Sequence, residues 1–292
     1  MSKKSITCKF SAIFAALTAV VFLTTAVSAF AYSDSDVVGT LSEKLYATSG
    51  DNIEDMRNSS TISSPLGEAT SDAAVIASGA DFGYLCGGDM WTNLVPGEIT
   101  YGELVAAYTE NRELAIAKVT MYQLKQMLEV PATHLVVGDD GLLDVEASAV
   151  DSFPQLSGLK LTIDMSAPIG ERVRKIATAD GVEYDLDDDE TEYTLVGTAF
   201  MFSGGYDMPE IDCEPLGITM ADALADYIVA GFDTSYNSFT KLNRVVIQNA
   251  GEDTIYSKIP KGLIPAVIVL IVVGEIYRKK EKIDPNDRSV DI

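Results

Sequence analysis

Ala80-Asp-Phe-Gly-Tyr-Leu-Cys86-Gly-Gly-Asp-Met-Trp91-Thr-Asn-Leu-Val-Pro-Gly97-Glu-Ile-Thr100-Tyr-Gly-Glu-Leu104 runs from a strand through a glycine turn into a helix. Asp81 to Leu85 reads as a buried strand, Cys86-Gly87-Gly88 turns the chain, and Tyr101-Gly-Glu-Leu-Val-Ala-Ala-Tyr108 opens a short helix. The same alternation holds outward from it. Ser71 to Gly79 reads as a short helix stopped by its glycine. Residues 32–70, rich in Ser, Thr, Asp and Gly, hold a lead-in strand near Asp36–Leu41 and then a loop. Downstream, Glu113–Val119 alternates as a strand and Thr120 caps a helix over Met121–Glu129. Strands recur at 156–164, 172–178 and 192–197 after an acidic connector at 138–152, and a last helix runs from its cap Thr219 to Val229. Ala230–Pro260, with Val245-Val-Ile-Gln248, is either one more hairpin or a stalk. Short helices alternating with strand returns predict an α/β fold of mixed α+β character, with no internal repeat.

The two ends carry a different signal. Lys3, Lys4 and Lys9 lead into an almost wholly apolar stretch from Phe10 to Val27 and a small-x-small site at Ala29-Phe30-Ala31. This is the pattern of a signal peptide, cleaved after Ala31 or retained as an uncleaved anchor. A second apolar run, Gly262 to Tyr277, is closed by Arg278-Lys279-Lys280-Glu281-Lys282, a stop-transfer pattern that places the C-terminal side in the cytoplasm. The run falls short of the ~20 residues of a spanning helix and contains Pro265 and Glu275, so Lys261 and Lys280 must snorkel; a buried core helix is the other reading. The expected order is a signal helix at 1–31, a lead-in strand and linker at 32–60, a globular domain at 61–230, a stalk or hairpin at 231–259, a transmembrane helix at 260–278 and a cytoplasmic tail at 279–292. That order describes a single-pass cell-membrane protein with its domain outside the cell.

Between the apolar ends, residues 32–260 hold 12 Lys or Arg against 39 Asp or Glu, a net charge of −27. A field of that sign excludes nucleic acid and anionic lipid as partners of this region. The chemistry-bearing residues are few. His134 is the sole histidine, read as an ordinary loop or strand-edge residue in Val130-Pro-Ala-Thr-His-Leu-Val-Val137. One histidine cannot furnish a His-rich two-metal site, and no Gly-x-Ser-x-Gly elbow is present to accompany it in a serine triad. Asp185, Asp187 and Asp189 alternate like the start of a calcium loop, but Glu190 stands where the loop glycine belongs, so the run reads as a solvated turn. No catalytic residue, metal or cofactor is expected.

Four segments, in order, carry a family resemblance. Pro65-Leu66-Gly67-Glu-Ala-Thr-Ser-Asp72-Ala73 is similar to an Asn-Leu-Gly-Asn-Leu-x-x-Asp-Ala helix. Ala80 to Leu104 resembles an Ala-Asp strand, an Asn-Gly-Gly-Gly-Ile-Arg turn and a Gly-x-Ile-Thr-Tyr-Gly-x-Leu helix start. Phe153-Pro-Gln155-Leu-Ser157-Gly158-Leu159 with Pro168-Ile-Gly170-Glu-Arg172-Val173 is similar to a Leu-Gln-Val-Ser-Gly-Leu strand and a Pro-x-Gly-x-Arg-Val turn. Phe200-Met-Phe-Ser-Gly204-Gly205 stands where a Phe-Leu-x-x-Gly-Gly-Asp-Gly-Tyr loop is found. Together they resemble the C-terminal domain of 5′-nucleotidases over roughly residues 60–230.

The resemblance implies an α/β domain that holds the nucleoside part of a nucleotide, while a separate metallophosphoesterase domain carries the metals and hydrolyses. Ala31 to Ser60 leaves no room for that second domain, so hydrolysis by this sequence alone is not expected. The loops also depart from the pattern. Cys86, Asp89 and Trp91 replace Asn, Gly and Arg of the turn, and Thr109-Glu110-Asn111-Arg112 replaces Pro-Phe-Gly-Asn, with Glu110 in place of a base-stacking ring. Tyr206, Asp207 and Met208 occupy the Asp-Gly-Tyr positions, with Trp91, Tyr206 and Phe202 as substitute rings. Ligand-binding residues are therefore expected at Trp91, Asn111, Arg112, Phe202, Tyr206 and Asp207. By the same resemblance Cys86 and Cys213 both border the ligand cleft, either bridged to each other or as two independent buried thiols. The implied partners are a nucleoside or nucleotide ligand and a separately encoded metallophosphoesterase chain. The expected function is a non-catalytic ligand-binding or interaction module, or alternatively the substrate-binding subunit of a split nucleotidase.

Overall fold

Threonine marks where strands become helices. The computed structural model describes residues 32–48, 58–232 and 244–249. In chain order these form β1 (Val37–Leu41), α1 (Pro65–Ser78), β2 (Phe82–Cys86), β3 (Gly97–Thr100), α2 (Tyr101–Ala106), β4 (Glu113–Val119), α3 (Met121–His134), β5 (Pro154–Ser157), β6 (Leu159–Asp164), β7 (Val173–Thr178), β8 (Tyr193–Thr198), α4 (Ala199–Phe202), β9 (Cys213–Thr219), α5 (Met220–Val229) and β10 (Val245–Gln248). Thr100, Thr120, Thr198 and Thr219 each keep extended backbone angles while the hydroxyl accepts the N–H three residues on, capping α2, α3, α4 and α5. A β-branched residue with a short hydroxyl suits both jobs, so strand passes into helix with almost no intervening loop. Glu103, Gln123 and Asp222 return a bond to the cap N–H and complete three capping boxes.

The central sheet has strand order β5-β2-β8-β4-β9, with β2 and β8 parallel and the other pairs antiparallel. Its side chains alternate between two half-cores. Phe82, Tyr84, Ala115, Ala117 and Leu195 face α3 and a second sheet, β10-β6-β7; Leu85, Leu114 and Val196 face α1, α5 and the β1-β3 ladder. Val38, Leu41, Leu45 and Ala47 are buried in that second half-core, so the lead-in segment is part of the folded body. The mixed α/β expectation is met.

Several elements differ from the sequence reading, each for a local reason. The strand expected over 156–164 is two strands in two different sheets. It breaks at Gly158, whose φ of 77° is open to glycine and where a Cβ would lie 2.9 Å from the Asp81 carbonyl oxygen. α1 starts six residues earlier than Ser71, because Ser64 caps it and Pro65 fills the first helical position, where a missing N–H costs nothing. α3 continues through Pro131 to His134, which is thus an exposed helix-end residue and not a loop or strand-edge one. β9 was hidden by Pro215 and Gly217; among the described residues it is an outer strand paired only with β4, which tolerates both. Val245–Gln248 joins β6 in parallel, while the rest of the expected stalk or hairpin, 233–243 and 250–259, lies outside the described residues. Among the described residues no helix is long and apolar enough to cross a membrane. The signal helix at 1–31, the span at 260–278 and the tail at 279–292 lie outside them.

Two polar hubs lock α1 to the sheet. Gln155 on β5 is fully buried: its Oε1 accepts the Ser64 N–H at 2.8 Å, and its Nε2 donates to the Ser59 and Ile62 carbonyls at 2.8 and 2.9 Å. Arg244, just before β10, forks onto both oxygens of Asp72 at 2.8 and 2.7 Å and donates to the Leu156 carbonyl. Replacing Gln155 by methionine keeps the volume but strands three buried backbone groups. The expected cost is on the order of 3 kcal/mol, read as a lower urea midpoint.

Glu68, one turn before Asp72, is only 5% exposed. Burial pushes its carboxyl up to about 7, with attraction from Arg244 and repulsion from Asp72 as smaller opposing effects. The folded protein thus holds this proton more tightly than the unfolded chain does, whose value is near 4.5. Glu68's contribution is complete below that pH and is lost as pH rises through about 7. Urea unfolding across this window is expected to show a decline on the order of 3 kcal/mol in the wild type, and a flatter profile in Glu68→Gln.

Candidate functional site

Topology gathers one end of the central sheet into a loop cluster. β2 and β8 are parallel and β4 runs against β8, so the ends of β2 and β8 meet the start of β4. Gly87-Gly88-Asp89 follows β2, Arg112 directly precedes β4, and α4 with the loop to Met208 follows β8. The turn after β2 threads between two backbones: a Cβ on Gly87 would sit 1.7 Å from the Ser59 carbonyl oxygen, and Gly87 N–H donates to the Phe153 carbonyl at 2.7 Å. Glycine is required there, and the chain emerges with Asp89 pointed inward.

Asp89 is completely buried. Its Oδ1 accepts the Arg112 Nε–H and the Tyr206 hydroxyl, both at 2.7 Å, while its Oδ2 is buried without a partner. Burial raises its carboxyl above the usual range, against the pull of the Arg112 and Tyr206 hydrogen bonds. Burial and then the Asp89 charge raise the Tyr206 phenol, which stays a donor. Above this ion pair lies a stack. The Arg112 guanidinium carbon is 3.6 Å from the Phe200 ring centroid, and the Tyr206 ring meets Phe200 edge-on at 5.0 Å and 81°. Arg112 Nη1 is also 3.0 Å from Glu110 Oε2. Tyr206 and Asp207 hold φ of 58° and 60°, left-handed angles that cost roughly 1 kcal/mol or more at a non-glycine residue. The Tyr206–Asp89 bond and the Phe200 contact hold that loop in place.

Of the sequence-predicted residues, Arg112 and Tyr206 come together here, with Asp207 exposed beside them. Asn111 is committed elsewhere: its Oδ1 accepts the Ala221 N–H at the start of α5. Phe202 is buried under the sheet against Gly197 and belongs to the core. Trp91 is half-buried, with its backbone N–H on the Ala107 carbonyl. Phe200 and the structural role of Asp89 were missed. The signal for the latter was two departures from the family pattern, a new acid at 89 and a new base at 112, on loops that the sheet brings together.

The proposed bridge between Cys86 and Cys213 is not formed; both thiols are free. Cys86 is on β2 and Cys213 on β9, with β8 and β4 between them. Three steps of strand spacing separate them by about 14 Å, more than twice what a disulfide spans. Burial raises both thiols. A cavity of about 1040 Å³ borders Lys118, Gln123 and Glu210 at the other end of β4 and shares Phe202 and Cys213 with the predicted residues. The loop cluster, with its buried charge, its edge-on ring pair and the guanidinium over Phe200, is the better candidate because it concentrates the site chemistry. Among the described residues no group of three His, Cys, Asp or Glu is placed to hold a metal ion. Asp185 and Asp188 instead accept backbone N–H groups within their exposed turn.

A mixed sheet that presents a glycine turn and an aromatic loop at its strand ends defines an α/β domain with a loop-borne site. Residues 37–211 match the family described as 5′-nucleotidase, C-terminal domain, and the chain belongs to that family. The trifunctional nucleotide phosphoesterase YfkN of Bacillus subtilis is 29% identical over 131 residues, which is 44% of this chain and 8% of that protein. The fold is similar to the 5′-nucleotidase precursor of Thermus thermophilus, with a TM-score of 0.55 and 19% identity over 73% of this chain and 39% of that one. It is also similar to the NAD nucleotidase of Haemophilus influenzae, with a TM-score of 0.54 and 16% identity over 73% and 38%. The chain therefore spans under half the length of these relatives. Peptide mapping after alkylation is expected to find Cys213 labelled in the native protein, Cys86 only after unfolding, and no bridged peptide.

Proposed function

We propose that this chain is a surface-displayed, non-catalytic binding module that takes a nucleoside or nucleotide at the cluster of Asp89, Arg112, Phe200 and Tyr206. The observation that carries the reading is the ring system at the strand ends: Phe200, 37% exposed, with Tyr206 edge-on and a guanidinium on its face. Such a surface suits a flat, π-bearing ligand, whose stacking is worth roughly 1–3 kcal/mol per ring. The names of the similar proteins, nucleotidases and a nucleotide phosphoesterase, support the same ligand class. The non-catalytic part rests on the single histidine in 292 residues, too few for a His-rich pair of metal ions. Display outside the membrane, with the tail in the cytoplasm, rests on the apolar stretches near the two ends and on the basic cluster at Arg278–Lys282.

A second reading is favoured by the length of the solved relatives, of which this chain covers about two-fifths. In it, the module is the substrate-binding subunit of a split nucleotidase whose metallophosphoesterase is a separate chain. Co-purification of such a chain, with nucleotide hydrolysis only when both are present, distinguishes this reading from the first.

The binding claim is tested by the melting temperature of the purified protein in detergent with millimolar nucleosides, nucleotides and sugars. Nucleoside-containing ligands are expected to raise it by a few degrees, sugars to leave it unchanged, and Phe200→Ala to abolish the rise. Indifference to every nucleoside-containing compound would end the reading.

A further inference from the structure

The face of Phe200 that a flat ligand would use is already taken. The Arg112 guanidinium is a flat, π-delocalised group lying 3.6 Å from the ring centroid, the separation of a stacked heterocycle. Resting on the proposed nucleoside-binding role, we propose that Arg112 is an internal occupant of the stacking site, which a ligand must displace in order to reach Phe200.

Three observations support a displaceable plate over a fixed strut. The first is the half-used carboxylate. A buried arginine–aspartate pair gains most by forking onto both oxygens, as Arg244 does on Asp72, where Oδ1 and Oδ2 are each engaged. Arg112 instead reaches only Oδ1 of Asp89 through Nε, and Oδ2 stays buried and unpartnered. The stacked pose is thus taken at the expense of a second charge-assisted bond, and the open oxygen gives the guanidinium a place to go. Rotation onto Oδ2 would keep the ion pair and uncover the ring.

The second is the opposite edge of the guanidinium, where Nη1 meets Glu110, whose side chain is 67% exposed. An ion pair whose carboxylate lies in solvent is weak, so little holds the plate down on that side. The third is the strained loop. Tyr206 and Asp207 keep left-handed angles, with the Tyr206 hydroxyl on Asp89 Oδ1 and its ring against Phe200. The one carboxylate that positions Arg112 therefore also positions the side wall of the slot, so the wall stays in place when the plate turns.

The consequence is a paradox of sign: removing a cation from the binding cluster strengthens binding. If the uncovered state is populated about one time in ten, ligand affinity is reduced about tenfold, and deleting the plate restores it. Adenosine is the probe, because it is uncharged and the loss of a positive charge at 112 does not bear on it directly. Calorimetric titration of the full chain in detergent compares wild type, Arg112→Ala and Arg112→Ala/Asp89→Asn. The double variant removes the buried negative charge along with its partner and decides the matter if the single variant is destabilised; far-UV circular dichroism establishes that each is folded. The expected result is tighter adenosine binding by about tenfold in the folded variants. Equal or weaker binding in a folded variant while the wild type binds would overturn the displacement proposal and leave the nucleoside reading standing, with Arg112 then a direct ligand contact. No binding by any of the three proteins would overturn both.

Discussion

A carboxylate with no access to water sits at the end of a central strand, and three loops are arranged around its needs. Taking Asp89 out of solvent costs several kcal/mol unless the charge is met by well-placed donors. Arg112 comes from the approach to β4 and Tyr206 from the loop after α4, and each meets the same oxygen. The glycine turn that delivers Asp89 is itself wedged against the Ser59 and Phe153 backbones. The positions of the arginine, the phenol and the ring between them are consequences of one buried charge. The backbone strain at Tyr206 and Asp207 is tolerated for the same reason, since relaxing the loop would withdraw a donor from that carboxylate.

The family relationship gives this arrangement its context. The mixed α/β fold of the family is retained. What differs is concentrated in the loops at one sheet end, where an acid and a base stand at positions that the family pattern fills otherwise. A compensated pair of this kind leaves the fold intact while changing what the loops present to a ligand.

Much of the framework was legible from residue pattern. Strands β2, β4 and β8 alternate or run apolar as their burial demands, and Thr120 and Thr219 announced α3 and α5 before any contact was known. What stayed hidden depended on partners far away in sequence. Gly158 looks like any strand glycine until the Asp81 carbonyl is seen beside it, and Pro215 argues against a strand unless its edge position is known. The site was half legible. Arg112 and Tyr206 were within reach of motif comparison, whereas Phe202 was preferred over Phe200 because pattern alone does not say which ring the helix turns inward. The resemblance set both cysteines beside the ligand cleft and left a bridge and two independent thiols open; strand order shows that two further strands separate them.

The parallel pairing of β10 with β6 has a mechanical side. Val245 to Gln248 lies alongside Leu161 to Asp164 in register, and Arg244 grips Asp72 and the Leu156 carbonyl at the strand's leading end. A pull along the strand axis, applied beyond Gln248, would load these backbone bonds together in shear instead of opening them one at a time. Under such a load, α1 and the sheet edge share the force through Arg244 and the β10–β6 bonds.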